Sequence, residues 1–200
     1  MTELYFVRHA EPDHSNHADM TRALTEKGMR DRMLAADFLT DRNIRAVWSS
    51  PFKRAVDTVQ PLADRLQLPV LTDPDFRERR VDSVWIDDFD AFSRRQWADF
   101  DYRLTDGETL RTVEKRNLAA MRRVLKSCPD TAVAIGSHGT ALSTLIHCFD
   151  RSFDYSAFKA IQKLMPWIVR FTFDGDKCVR ITEYDVFTGA VRERIPDYKK

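Results

Sequence analysis

Charge of neither sign dominates this chain: 32 lysines and arginines stand against 31 aspartates and glutamates, a formal net charge of +1. That balance supplies no bulk electrostatic attraction to nucleic acid or to a membrane surface, so any basic site has to be local. Cysteine is sparse. Cys128, Cys148 and Cys178 are widely spaced and form no CxxC pair, which argues against a disulfide framework or a zinc site and for thiols in a reducing compartment. No apolar run approaches the roughly 20 residues that span a bilayer. The stretch MTELYFVRH has no basic segment followed by a long apolar one, so no secretory signal is expected and a cytoplasmic location is. Repeats, low-complexity tracts and Gly/Ser linkers are also missing. What is there is 200 residues, 43% hydrophobic and 32% charged. That is long enough to bury most of its apolar surface as one domain, 1–200.

Periodicity sets out an alternation of strands and helices. The apolar run Leu4–Val7 predicts a first strand ending at Arg8, followed by a polar loop over 9–24. Thr25 is a helix cap, with Met29, Met33 and Ala36 on one face of a helix to about Thr40. IRAVWSS (44–50) is a second strand. Ser50-Pro51 then reads as an N-cap and first helical position, and Pro61 is expected to kink or restart that helix near Gln60. LPVLTD (68–73) is a third, short strand, and residues 74–107, rich in charges and aromatics including Trp85 and Trp97, read as irregular. Leu110, Val113, Met121, Val124 and Leu125 predict a long amphipathic helix over 108–127. TAVAIGSHG (131–139) has the continuous apolar character of a strand buried on both faces, with a helix after it. WIVRFTF (167–173) and CVRITEYDVF (178–187), joined by Asp174-Gly175-Asp176, form a hairpin. The expected fold is a three-layer α/β/α sandwich with a mostly parallel central sheet and a C-terminal hairpin.

In such sheets ligands bind beyond the carboxyl ends of the strands. Three strand ends there deliver Arg8-His9, Ser49-Ser50 and Ser137-His138-Gly139, with Arg54 one turn into the helix after the second strand. Two arginines and two histidines at one sheet edge suit a phosphate, because planar guanidinium forks donate in pairs to its oxygens.

These residues belong to six ordered islands: VRHAE, ALTEKG (23–28), SSPFKRAVDT (49–58), FRER (76–79), GETL (107–110) and GSHGT (136–140). Together they resemble the histidine phosphatase superfamily, the phosphoglycerate mutase-like family. The resemblance runs from about residue 4 to 145, with Ala10 where glycine is commoner and Ala23 where proline is commoner. It implies that His9 is the nucleophile that becomes phosphohistidine, that Arg8, Arg54 and His138 bind phosphate, and that Glu78 protonates the leaving oxygen. To donate, Glu78 has to hold its proton, which burial or a nearby phosphate favours. Charge neutralisation by arginine and histidine makes a metal or other cofactor unnecessary on this reading.

Asn16, Gly139, Arg94 and Arg95 are further candidates for substrate contact, Gly139 because it lets the backbone approach closely. Arg77, Arg79 and Arg80 read as surface charge. His14, His17 and His147 read as loop or helix residues, since His14 and His17 have metal-pair spacing but no third ligand. Residues 77–106 form a candidate lid. The resemblance therefore predicts a metal-independent phosphomonoester hydrolase acting on a small phosphorylated metabolite. Two alternatives stand beside it: a cofactor-dependent phosphoglycerate mutase-type transfer, and a non-catalytic module that binds a phospho-ligand. The 28 residues between Glu78 and Gly107 and the short stretch after the last predicted strand favour hydrolysis. Neither nucleic acid nor membrane is an expected partner, and oligomeric state is not legible.

Overall fold

The computed structural model describes residues 1–84 and 86–197. In chain order the elements are β1 (Thr2–Arg8), α1 (Glu26–Thr40), β2 (Ile44–Ser49), α2 (Lys53–Leu66), β3 (Val70–Thr72), a 3-10 turn (Pro74–Phe76), α3 (Phe89–Ala98), α4 (Leu110–Ser127), β4 (Ala132–Ser137), α5 (Gly139–Phe149), α6 (Tyr155–Ala160), β5 (Trp167–Asp174), β6 (Lys177–Tyr184) and β7 (Val191–Arg194). The strands form a single sheet in the order β3-β2-β4-β1-β5-β6-β7. The four strands from β3 to β1 run parallel, and β5, β6 and β7 continue the sheet antiparallel.

Side-chain alternation along the central strands builds the two outer layers. Leu4 and Phe6 of β1, with Val133 and Ile135 of β4, pack against Leu110, Met121 and Val124 of α4 and Leu142 and Leu145 of α5. Tyr5 and Val7, with Ala132 and Ala134, face Ala36 and Leu39 of α1 and Val59 and Leu62 of α2. Leu4, Phe6 and Val7 are fully buried, each worth about 1.5–3 kcal/mol in apolar transfer. Among the described residues no helix is long and apolar enough to cross a membrane.

Thr25 caps α1 as its position predicts, accepting the Gly28 N–H at 3.0 Å, a contact worth about 1 kcal/mol. The buried face of α1 is Gly28, Ala35, Ala36 and Leu39, while Met29 is exposed. The small residues win that face because α1 lies close to its neighbours, and a Cβ at position 28 would overlap the Glu11 carbonyl oxygen.

Pro61 does not interrupt α2, which runs unbroken from Lys53 to Leu66. Proline strips the Asp57 carbonyl of its helical donor, four residues back. Arg32 of α1 replaces that donor, its Nη1 reaching the Asp57 carbonyl oxygen at 2.8 Å. The helix also starts later than Ser50-Pro51 implies, with Phe52 at the cap position, although the Ser50 hydroxyl still accepts the Phe52 N–H at 3.2 Å. Two further elements depart from expectation. Phe89–Ala98 is helical within the stretch read as irregular, its inner face Phe92, Ser93, Gln96 and Trp97. Val191–Arg194 adds a third antiparallel strand to the hairpin, anchored by Arg194, which pairs with Glu183 at 2.5 Å and Asp150 at 2.8 Å.

Candidate active site

Register fixes the site. Arg8 lies level with Ser137, and Ser49 with Gly136. Pairing then runs one residue further on each side, as His9 N–H donates to the Ser137 carbonyl at 3.0 Å and Ser50 N–H to the Gly136 carbonyl at 2.9 Å. His9, Ser50 and His138 are thereby gathered at one edge, beneath a cavity of about 410 Å³ whose lining includes Arg8, His9, Arg54, Glu78, Arg79 and Gly139. That volume is in the range for a small-molecule site.

His9 is buried and meets the Ala10 carbonyl oxygen through Nδ1 at 2.7 Å. A carbonyl only accepts, so Nδ1 carries the proton and Nε2 keeps its lone pair. Burial first, then the charges of Arg54 and Arg8, hold the His9 imidazole well below its ordinary pKa. The ring is therefore neutral, as a nucleophile must be.

The Arg8 guanidinium donates through Nη1 to the Ile161 and Leu164 carbonyls at 2.7 and 3.2 Å, and through Nη2 to the Gln162 carbonyl at 3.1 Å. Burial pushes its pKa down to about 10, which leaves it charged at neutral pH. Arg54 donates to the Asp19 carbonyl at 2.7 Å and pairs with the Asp19 carboxylate at 3.4 Å. Its pKa is lowered, chiefly by burial. The Nε atoms of both arginines are buried without a hydrogen-bond partner.

His138 packs edge-on against His9 with ring centroids 5.3 Å apart. Its Nε2 lies 2.8 Å from the Ser50 hydroxyl, which also accepts the Phe52 N–H at 3.2 Å. Nδ1 of His138 is buried with no partner. Burial, then Arg54 and His9, hold this imidazole well below its ordinary value too, so it is neutral in the free protein rather than a ready third cation.

Glu78 sits at the start of α5. Its Oε2 accepts the Thr140 N–H at 3.0 Å, and its Oε1 accepts those of Ala141 at 3.1 Å and Arg79 at 2.7 Å. Free N–H groups at a helix N-terminus suit such a carboxylate. The loop bearing Glu78 is held by Arg116 of α4, which donates to the carbonyls of Asp75 and Arg77 at 2.7 Å and of Glu78 at 3.1 Å. Arg116 is in turn paired bidentately with Glu108 at 2.8 and 2.9 Å. Gly107 passes so near the Val81 carbonyl that a Cβ there would overlap it. The GETL island thus works at a distance, by fixing the loop that bears Glu78.

The structure brings Arg8, His9, Arg54, Glu78, His138 and Gly139 together and leaves the other candidates outside. Asn16 turns its side chain to its own loop, accepting the Ala18 N–H at 2.9 Å. Arg94 pairs with Asp90 at 3.4 Å and Arg95 lies over the Tyr102 ring. Both are exposed on α3, opposite its buried face, and neither lines the cavity. Trp85 lies outside the described residues. Sequence reasoning missed four contributors. Ser50 looked like a cap, Arg79 like surface charge, and Arg22 and His14 like loop residues, yet the last three line the cavity. Among the described residues no group of three or more His, Cys, Asp or Glu is arranged to hold a metal.

A neutral imidazole thus lies beside two buried guanidinium groups, one at a parallel strand end and one in the first turn of α2, an arrangement that can hold a tetrahedral oxyanion. The chain belongs to the histidine phosphatase superfamily (branch 1), whose family model matches residues 4–184. Over 100 residues it is 37% identical to an uncharacterised protein of Mycobacterium tuberculosis, a match that covers 43% of this chain and spans only half, 50%, of that relative's length. It is 27% identical over 158 residues to a probable phosphoglycerate mutase of Yersinia pestis, covering 73% of this chain and 74% of that protein. A phosphoserine phosphatase of Entamoeba histolytica, solved with phosphoserine, shares the fold with a TM-score of 0.70 at 19% identity, over 88% of this chain and 93% of that one.

Proposed function

We propose that this chain hydrolyses a small phosphorylated metabolite through a phosphohistidine on His9. The observation that carries the proposal is the His9 Nδ1 bond to the Ala10 carbonyl at 2.7 Å, which leaves Nε2 as a neutral nucleophile in a cavity lined by Arg8 and Arg54. In the first step Nε2 attacks phosphorus, the P–O bond to the leaving group breaks, and the departing oxygen takes the proton that Glu78 holds once the phosphate dianion is bound beside it. Water then attacks the phosphohistidine, Glu78 takes a proton back, and the P–N bond breaks to release inorganic phosphate. Splitting a slow hydrolysis into two displacements is what covalent catalysis supplies.

Arg8 and Arg54 neutralise the oxygens, and preorganised donors of this kind contribute most where charge develops. With Ser50 donating to Nε2, His138 offers its Nδ1–H as a further donor without carrying charge. The segment 77–106 acts as a partial lid, contributing Arg79, Val81 and Phe89 to the wall. The route needs no metal.

The test is turnover of p-nitrophenyl phosphate in EDTA by wild type and His9→Ala. Metal-independent activity abolished by the substitution supports the proposal, and activity that survives it refutes the phosphohistidine. Incubation with 3-phosphoglycerate separates hydrolysis from mutase chemistry. Release of inorganic phosphate supports hydrolysis, whereas isomerisation without release favours the transfer suggested by the similarity to a probable mutase.

A further inference from the structure

A second cavity, of about 600 Å³, opens at the other end of the sheet from His9. One of its walls is Phe173 of β5, which lies level with Thr2 at the start of β1, whereas the first cavity lies beyond Arg8 at that strand's end. The length of β1 sets the two roughly 20 Å apart. α4 supplies most of the lining. Leu118, Arg122 and Lys126 follow one another at four-residue spacing, and Met121 and Leu125 form the row beside them. Phe149 at the end of α5 and Phe173 complete an apolar floor, and Asp176 comes from the β5–β6 turn.

The floor is recessed. Met121 and Phe173 are buried and Leu125 is 8% exposed, with Leu118 and Phe149 half-buried around them. A concave apolar surface of this volume is the ordinary form of a small-molecule site, and wetting it is unfavourable in proportion to its area.

The cations at its edge are unmatched. Arg111, Arg116 and Arg123 of the same helix each pair with a carboxylate. Arg122 and Lys126 are exposed and form no hydrogen bond or ion pair among the described residues. At four-residue spacing the two repel each other. Lys126 complements the C-terminal end of α4, but Arg122, more than a turn earlier, has no such role. Two unmatched cations over an apolar floor are complementary to a ligand with one anionic head and one aliphatic body.

We infer that this cavity binds a free aliphatic carboxylate, its chain on the apolar floor and its head at Arg122 and Lys126. Asp176 repels the head and so confines it to the α4 side. The stretch from Leu118 to Lys126 is roughly 12 Å long, which accommodates a ten-carbon chain. A free molecule reaches a recessed floor where a flat bilayer surface does not. The site shares no lining residue with the cavity at His9, so its test stands apart from the phosphatase reading.

The probe is sodium decanoate below its micelle concentration, with decyltrimethylammonium as the match of opposite charge, each titrated while amide NMR shifts of the protein are followed. Decanoate should shift amides at Leu118–Lys126, Phe149 and Asp176 and spare those of His9 and Arg54. It should bind about tenfold more tightly than the cationic probe, two exposed ion pairs gained against two repulsions. Both cations are exposed, so the double variant Arg122→Gln/Lys126→Gln should fold as wild type does, and it should lose the preference for the anion. No binding of decanoate, shifts centred on His9 and Arg54, equal affinities for the two probes, or an unchanged preference in the double variant would overturn the inference. So would shifts of the same amides on raising protein concentration alone, the mark of a second copy as occupant. Shifts produced by vesicles of anionic phosphatidylglycerol and not by decanoate would assign the face to a membrane and overturn it too.

Discussion

Gly139→Ala separates two explanations for the glycine that opens α5. One holds that glycine is needed so that phosphate can approach the backbone. The geometry gives it another role, as the floor beneath the Arg8 guanidinium. An ideal Cβ at position 139 would stand 3.1 Å from Arg8 Cζ, 3.1 Å from Nε and 3.2 Å from Nη2. Ordinary contact starts near 3.4 Å, so the guanidinium has to give by at least 0.3 Å. It is not free to swing away, because the carbonyls of Ile161, Gln162 and Leu164 hold it at 2.7–3.2 Å. A misplacement of 1 Å in a catalytic group costs on the order of 100-fold, so a shift of about 0.3–0.5 Å scales to a loss of roughly 4- to 10-fold in kcat/KM. That corresponds to about 1 kcal/mol of transition-state binding. Stability should not suffer, since alanine is the better helix former by at most about 1 kcal/mol. The assay is p-nitrophenyl phosphate turnover beside a thermal melt. Unchanged kcat/KM at raised Tm would refute the tight floor. A loss beyond about 100-fold at unchanged Tm would mean that Gly139 acts on phosphate directly.

Ser50→Ala should lower kcat/KM about tenfold, and imidazole nitrogen NMR should show the His138 tautomers mixing once Nε2 loses its hydroxyl partner; a single unchanged tautomer would refute the positioning role. Arg116→Met breaks a buried pair and strips three carbonyls of their donor. It should cost about 3–5 kcal/mol in urea unfolding, and a loss below about 1 kcal/mol would show that the Glu78 loop holds itself. Because His9 and His138 are held well below the ordinary 6.5, the unfolded chain takes up protons below that pH before the folded chain does. Their contribution to stability is therefore present above pH 6.5 and lost as pH falls through it, by up to about 1.4 kcal/mol per unit for each ring. Urea midpoints between pH 7 and 5 should fall accordingly and fall less steeply in His9→Asn, whereas identical slopes would refute the burial argument.

Much of this could be read from the chain because local chemistry and tertiary position agree. Leu4–Val7 and Ala132–Ile135 are apolar on successive residues, the mark of strands covered on both faces, and their ends carry Arg8-His9 and His138 to one edge of the sheet. Thr25 caps its helix for reasons contained within four residues. The hairpin is legible at Gly175, whose φ of 56° is a conformation that glycine takes freely. Pro61 misled because its penalty is real but local. The carbonyl it orphans is rescued by Arg32, 25 positions away in sequence, and no window along one helix contains that fact.

Arg79 and Arg94 show why one wall of the cavity stayed hidden. Both are arginines among charged neighbours, and composition treats them alike. Their fates are set by α3, which was not legible as a helix. Once Phe89–Ala98 coils, Phe92, Ser93, Gln96 and Trp97 turn inward and Arg94 and Arg95 turn outward. The inward Gln96 then reaches Arg79, 17 residues earlier, and Phe89 and Phe92 cover it. A cation that looked solvated becomes the buried one, and cations that looked ready for substrate pair with Asp90 and stack on Tyr102 at the surface. The Arg8-His9 end of the site hangs on strand termini, whose positions follow from apolar pattern. The other end hangs on one helix packing over one loop, so it is specified by contacts between segments. That difference accounts for the His9 end of the cavity being readable from this chain while the wall around Arg79 required its fold.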